Sequence, residues 1–588
     1  MPRHWRFAPH DRAVIGRVAQ ELNCSPLLAE VLVARGLTSG KQAREFVTAS
    51  INDLYPPDLL PGLAAAADRI VAAVQAGRRV TIYGDYDVDG VTSTSILWHC
   101  LKLAGAQVDY YIPCRLEEGY GLNIDAIRQL HSEDPERLVV TVDCGICSVD
   151  EAALSKELGL ELIITDHHTM GETLPDAAAI VHPRLPGHDY PFVDLCGAGV
   201  AFKLAWGICQ RLGDGTKASP RMREFLKSSV GLAAMGTVAD VVPLVGENRI
   251  IVRYGLSTLV EKSTPGLSML LRVAGLEKTE EFTAEDIGFG LAPRINAAGR
   301  LGQARLAVEL LTTDNRARAA QLADYVDQLN KNRQTVERKI FKQAKEMVAE
   351  HPEWEDHSAL VLASPDWHPG VIGIIASRLA EHFERPTIMI AINSETNVGQ
   401  GSGRSYANYD LHSGIAGCSD LLIGFGGHRA AAGLRIAADR IDEFREAFSS
   451  VTTDNHAPTK EDTEVAVDAE INLEDLTHKA VKELEWLGPF GAAHRRPIFC
   501  SSPVHLVDAP SRMGGGDRHL SMRVRQGQKV YRCVAFGKGD WVDEIAAVDG
   551  PLSICFSAGL NRYRGYESVE LNLIDWKPAP APVVRVMQ

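Results

Sequence analysis

The sequence predicts an α/β protein: a parallel-sheet main domain, joined by a long helix to a smaller α/β domain, with a C-terminal β-barrel of OB-fold type. Three observations predict it. Apolar strands alternate with helical segments between about residues 63 and 200, and one charged, apolar-periodic run covers 312–350. Short strands separated by glycine turns then fill 504–576.

Residues 1–60 read as a small helical segment. Ser25-Pro26 opens an apolar run through Leu28, Val31, Leu32 and Val33, and Thr38-Ser39 opens another. The Pro-rich stretch 52–61 reads as a tether. An amphipathic helix over 64–76 precedes the strand 80–83, and a helix starting near Thr92, Ser93 or Thr94 runs to Leu103. The strand 108–112, a helix near 124–130, the strand 138–142, a helix over 149–158 and the strand 162–165 continue the alternation.

The polar residues fall where such a fold binds ligands. Asp85, Asp87 and Asp89 follow the first of these strands, Asp143 follows 138–142, and Asp166-His167-His168 follow 162–165. In an open parallel sheet those carboxyl ends share one edge. Asp240, in GLAAMGTVADVVP at 231–243, ends a buried helix and adds a fourth position. One Asp or His after a strand is more often a cap or a turn residue. Four converging positions are harder to dismiss. Crowded carboxylates repel without counter-charge, and mixed carboxylate and imidazole ligation suits Mn²⁺ or Mg²⁺ ahead of Fe or Zn. Several acids could bridge two ions, an arrangement that favours phosphate-ester hydrolysis. An EF-hand loop is the competing reading of DYDVDG, but its twelfth position holds Ile96 instead of Glu.

Composition narrows the class. A net charge of −15 gives no global attraction to polyanions, so a nucleic-acid partner must be held by local basic patches or by metal. Eleven cysteines, an odd number, argue against a disulfide framework, and Cys144 and Cys147 lack a second pair for zinc. The N-terminus has no apolar core segment and no run reaches transmembrane length, so a cytoplasmic protein without membrane contact is expected.

GDYDVDG at 84–90, VDCG at 142–145, TDHH at 165–168 and GTVADVVPL at 236–244 resemble the DHH phosphoesterases. Further pieces resemble the single-stranded-DNA-specific exonucleases of that family: IPCRLEEGYGL at 112–122, PRINAAGRLG at 293–302, WHPGVIGIIASRL at 367–379, GSGRS at 401–405 and GFGGHRAAAGL at 424–434. The resemblance covers nearly everything after residue 60. It implies a DHH catalytic domain at 61–310, a connecting helix at 311–352, a DHH-associated domain at 353–453, an OB-fold single-strand-binding domain at 464–577 and a flexible tail at 578–588.

Carried over by residue, the resemblance implies that Asp85, Asp87, Asp89, Asp143, His167 and Asp240 hold two divalent ions, Mn²⁺ or Mg²⁺, with the bridging aspartate left open. His168 would contact the scissile phosphate and Asp166 would orient the histidines. Read from the residues themselves, Arg294 and Asn296 could face substrate or brace the catalytic edge, and an Arg-Asn network tying two helices together is an equal alternative. Ser402 and Arg404, with Arg115 from the first lobe, would grip a 5′-phosphate; the glycine-rich GSGRS and GFGGH supply flexible backbone, with His428 a further phosphate candidate. His519, Arg523, Tyr531, Phe536 and Tyr563 mix cations with rings, as single-strand surfaces require, although several of these aromatics suit a core as well. His494 departs from the family pattern, where asparagine is expected.

The expected activity is metal-dependent 5′→3′ exonuclease action on single-stranded DNA, releasing 5′-mononucleotides in DNA repair and recombination. A monomer is expected, and the resemblance implies cooperation with a RecQ-type helicase and a single-strand-binding protein. A DHH phosphodiesterase for oligonucleotides or cyclic dinucleotides needs neither the OB-like tail nor the long connector. A non-catalytic replication scaffold could shed its metal ligands, and this chain keeps all of them.

Overall fold

Five parallel strands form the first sheet, in the order Gln107–Tyr111, Arg79–Gly84, Leu138–Val142, Glu161–Thr165, Ala179–Val181. The computed structural model describes residues 3–115, 118–279, 281–455, 464–563 and 566–579. The chain divides into two compact units, Ile51–Asp462 and Met1–Ser50 with Thr463–Gln588. All four expected strands of the first sheet form. The fifth, Ala179–Val181, is three residues long and too short to show a period in the sequence.

Helices Ile124–Glu133 and Val149–Glu157 bury Ala126, Ile127, Leu130 and Ala152 against Val139, Leu162 and Ile164 of the sheet. The helix after the first strand begins at Val88, not at Thr92–Thr94 as expected. Asp87 is its N-cap and accepts from the Gly90 N–H at 3.1 Å, so the helix starts inside the Asp-rich loop and Asp89 enters its first turn. Thr92 and Ser95 then turn their hydroxyls back onto Val88 O and Val91 O, which suits them to the helix interior.

A helical layer leads from Pro220–Ala239 through Gly246–Glu261, Pro265–Val273, Ala292–Arg300 and Ala304–Thr312 to the 35-residue helix Arg316–Glu350, capped by Asn315. The second sheet follows, in the order Gly424–Gly427, Ala431–Ala437, Val398–Arg404, Thr387–Asn393, Leu360–Ser364, with only the last pair parallel. GSGRS, expected as flexible backbone, lies almost wholly within the strand Val398–Arg404, paired on both sides. Its glycines are required by packing: a Cβ on Gly401 would lie 2.7 Å from Leu434 Cδ1, and one on Gly399 would lie 2.6 Å from Ile390 Cγ2.

In the other unit, Phe499–Leu506, Leu552–Tyr563, Tyr566–Pro578, Lys529–Ala535 and His519–Gln526 pair in that order. The last returns to the first through His505↔Arg525 and Leu506↔Val524, closing a five-stranded ring, the small barrel that was expected. Helices Pro26–Ala34 and Gly40–Thr48, capped by Ser25 and Ser39, start within a residue or two of the expected positions and place Leu28, Leu32 and Val47 in one core with Leu473, Val481, Phe499 and Leu571. An unexpected strand, His4–Phe7, pairs with Glu464–Val467. All eleven cysteines are free. Among the described residues no helix is long and apolar enough to cross a membrane. Residues 456–463, and the expected flexible tail from residue 580 onward, lie outside the described residues.

Candidate metal centre and substrate cavity

The strand order builds the site. Strands 79–84, 138–142 and 161–165 are immediate neighbours, with Gly84 opposite Val142. Neighbouring strands lie about 4.8 Å apart, so the residues that follow them, Asp85, Asp143 and Asp166-His167-His168, converge at one edge. Asp240 joins them as the C-cap of Pro220–Ala239. His167 Nε2 lies 3.2 Å from Asp143 Oδ1, 3.6 Å from Asp240 Oδ2 and 3.7 Å from Asp89 Oδ2. Among the described residues, three sets have donor atoms all within 4.8 Å of one another: Asp89, His167 and Asp240; Asp85, Asp87 and Asp143; and Asp143, His167 and His168.

Tight backbone packing holds this edge. Asp89 accepts from the N–H groups of Gly197 and Ala198, at the start of the helix Gly197–Arg211, at 2.6 and 2.8 Å. A Cβ on Gly197 would lie 2.5 Å from Asp143 Oδ1, and one on Gly236 would lie 2.5 Å from Asp89 Oδ1. Asp143 itself sits at φ 62, a left-handed conformation that aspartate tolerates. Val241, just after Asp240, sits at φ 60, where a β-branched side chain is strained.

The donor set fits divalent metal. Asp85 Oδ1, Asp143 Oδ1 and His167 Nε2 are buried and lack a hydrogen-bond partner of acceptable geometry, an arrangement costly in a protein interior unless a cation is bound. Burial, reinforced by neighbouring carboxylates, pushes Asp85 and Asp143 well above the usual carboxylate range and Asp240 up to about 8. Burial holds His167 down at about 4, so it is neutral and able to ligate.

These shifts predict a pH dependence. A carboxyl group with a raised pKa in the folded state contributes stability at low pH and loses it as pH rises through that value. The metal-free chain should therefore lose thermal stability between about pH 4, the ordinary carboxylate range, and about pH 8, where Asp240 titrates. Saturating Mn²⁺ should suppress the loss, and calorimetric melts across the window with and without Mn²⁺ check it.

His168 is organised differently. Its Nδ1–H donates to Asp166 Oδ1 at 2.7 Å. Burial works against its charge, but the hydrogen bond and charge of Asp166 raise its pKa to about 9. Burial likewise opposes ionisation of Asp166, yet His168 and the Ile146 N–H bring it down to about 2. His182 steadies the loop: Nδ1 accepts from Arg184 N–H at 3.0 Å, so Nε2–H donates to His168 O at 2.9 Å. The Tyr120 hydroxyl lies 3.1 Å from His168 Nδ1.

A cavity of about 290 Å³ opens over these groups, lined by Asp85, Asp87, Arg115, Tyr120, His168, Asn296 and Arg300 among others. A second, also about 290 Å³, is lined by Arg115, Arg300, Gly373, Ser402 and Arg404 among others. Arg115 and Arg300 thus face both. Arg404 donates to Ser402 Oγ at 3.1 Å and Gly403 O at 2.7 Å. Gly373 lies in the first turn of the helix Ile372–Phe383, and a Cβ there would be 3.1 Å from an Arg404 nitrogen. Burial, then repulsion from Arg115, Arg333 and Arg404, lowers Arg300 to about 10.

The remaining expected residues divide. Asn296 accepts from Val88 N–H at 3.2 Å and lines the first cavity. Arg294 is a correction to the substrate-facing reading: Nε donates to Asp327 Oδ1 at 2.9 Å and its other nitrogens to Gly290 O and Val273 O, so it braces the long helix. His428 is exposed next to the hairpin strand and lines neither cavity. In the barrel, His519 packs edge-on against exposed Phe536 at 5.4 Å, Arg523 pairs with Asp508, and the Tyr531 hydroxyl donates to Leu476 O at 2.7 Å. The Tyr563 side chain lies outside the described residues. His494 is buried, with Nε2–H donating to Leu487 O at 2.7 Å. Sequence reasoning did not single out Tyr120 or His182. Tyr120 stands inside the quoted stretch 112–122, whereas His182 follows the strand too short to recognise.

Residues 79–237 match the DHH family, N-terminal domain; 356–454 match the DHHA1 domain; and 467–575 match the RecJ OB domain. The chain is 39% identical over 576 residues to the single-stranded-DNA-specific exonuclease RecJ of Bacillus subtilis, covering 97% of this chain and 70% of the relative. Against the Escherichia coli protein of the same description it is 33% identical, covering 93% and 95%. The crystal structure of RecJ from Thermus thermophilus in complex with Mn²⁺ is similar at a TM-score of 0.82 and 31% identity, over 98% of this chain and 80% of that one. Its Mg²⁺ complex gives 0.77 and 30%, over 98% and 79%.

Proposed function

The chain belongs to the family of RecJ single-stranded-DNA-specific exonucleases within the DHH phosphoesterases, and on that premise we propose that it removes 5′-mononucleotides from the 5′ end of single-stranded DNA. The supporting observation is the pair of cavities joined at Arg115 and Arg300, one over the acid and imidazole cluster and one around Arg404.

Asp85, Asp87, Asp89, Asp143, His167 and Asp240 are the proposed holders of two divalent ions, Mn²⁺ or Mg²⁺. Asp143 falls in the set with Asp85 and Asp87 and also in one with His167, which suits it to serve both ions. Bound there, the ions supply charge neutralisation at the phosphate and acidify water for attack. Charged His168, held by Asp166, faces the scissile phosphate as a donor. Arg404 and Ser402 grip the terminal 5′-phosphate, while Arg115 and Arg300 lie between that phosphate and the next one.

The same proposal includes the domain limits 61–310, 311–352, 353–453 and 464–577, and action in the cytoplasm as a monomer. Cooperation with a RecQ-type helicase and a single-strand-binding protein is part of it, supported by family membership and open to co-purification tests.

A 5′-labelled single strand incubated with Mn²⁺ should release its label as mononucleotide from the earliest time points, while a 3′-labelled strand shortens gradually. Early release of the 3′ label would reverse the polarity. Asp166→Asn should lower turnover about 10- to 100-fold, the range for groups that orient a metal-site residue. Because the buried carboxylate also accepts from the Ile146 N–H, the melting temperature should fall as well, as checked by calorimetry.

A further inference from the structure

One helix face runs past both parts of the site. Asp286–Leu291 winds as a π-helical turn and continues directly into Ala292–Arg300. Arg300 faces both cavities, and Asn296 faces the metal-side cavity and bonds the Asp-rich loop. Asn296 and Arg300, four apart, share a helix face; Phe289, seven residues before Asn296, is offset from that face by the wider winding of the π-turn and is solvent-exposed, whereas Leu291, Ala292 and Ile295 between them are buried. At 1.5 Å per residue, Phe289 stands about 10 Å along the axis from Asn296, on the side away from Arg300.

Phe289 is 84% exposed, the most exposed large apolar side chain among the described residues. Its backbone is fixed nonetheless. Ile287 and Leu291 are buried, and Arg294 donates to Gly290 O at 2.6 Å. Val241, directly after Asp240, is also 69% exposed. A single surface aromatic needs no explanation; one held on a π-turn that leads directly into the helix whose residues line the site does.

This argument rests on the reading of the chain as a 5′ exonuclease. The terminal phosphate then lies toward Arg404 and Arg300 and the scissile phosphate near Asn296. We infer that Phe289 is the platform on which a nucleobase 3′ of the scissile phosphate stacks. An aromatic face accepts any base, so the contact adds affinity without sequence preference. A base inside a duplex has both faces covered, so the same contact favours single strands.

Steady-state kinetics on 5′-phosphorylated single strands, each with one abasic nucleotide at a successive position, test this. The parent protein should show a raised KM when the abasic position falls at one place 3′ of the scissile bond. Phe289→Ala should raise KM on the intact strand about 10-fold, as expected for loss of one base–aromatic stack, and should erase that positional penalty. Phe289→Trp should keep both properties, and matching melting temperatures show that the variants fold. An unchanged KM in Phe289→Ala, or a penalty pattern identical to the parent's, overturns the inference while leaving the exonuclease reading intact. A parent protein that digests no single strand overturns the reading beneath it.

Discussion

Asp143→Ala is expected to remove essentially all turnover. Asp143 is buried at the junction of the donor sets, 3.2 Å from His167 and within reach of Asp85 and Asp87. Its loss should equal or exceed the ~10²–10³-fold that follows removal of one electrostatic contact to developing charge. Alanine also fits poorly at φ 62. Asp143→Asn, which tolerates that backbone and loses only the charge, should therefore be nearly as inactive and separates chemistry from strain. Single-strand binding, followed by fluorescence anisotropy, should persist in both variants, because the barrel unit has its own core. Retained turnover in Asp143→Asn would show that this carboxylate is not a metal ligand.

Arg404→Ala is expected to abolish most of the preference for a 5′-phosphate over a 5′-hydroxyl end. Arg115, Arg300 and Arg404 line one cavity, and no carboxylate is among the described residues that line it. Burial, with repulsion from Arg115, lowers the pKa of Arg404, and an anion there would relieve that repulsion. A hydrogen bond to a charged group contributes about 1.5–3 kcal/mol, equivalent to about 10- to 150-fold in preference. Comparing kcat/KM on the two ends for parent and variant measures it. An unchanged ratio would place the terminal phosphate elsewhere.

The convergence of Asp85, Asp143 and Asp166-His167-His168 at one sheet edge was legible in the sequence because each group stands just after an apolar strand, and parallel neighbours bring successive strand ends together. Asp240 was legible only as the end of a buried helix; its approach to His167 depends on close helix packing at Gly236. Arg294 could not be assigned, since its partner Asp327 lies on the long helix and only the fold brings them within 2.9 Å. The glycine-rich strand Val398–Arg404 read as loop because glycine has low strand propensity. Contacts with Ile390 and Leu434 override that preference. The strand His4–Phe7 takes its pairing from Glu464–Val467, more than four hundred residues away, which local pattern cannot show.

The central claim is that these acids and imidazoles together cage two divalent cations. Anomalous diffraction from crystals soaked in Mn²⁺ tests it most directly. Two manganese peaks are predicted, one among Asp89, His167 and Asp240 and one among Asp85, Asp87 and Asp143. Fully soaked crystals with no manganese at that edge, or with manganese bound only elsewhere, would contradict it.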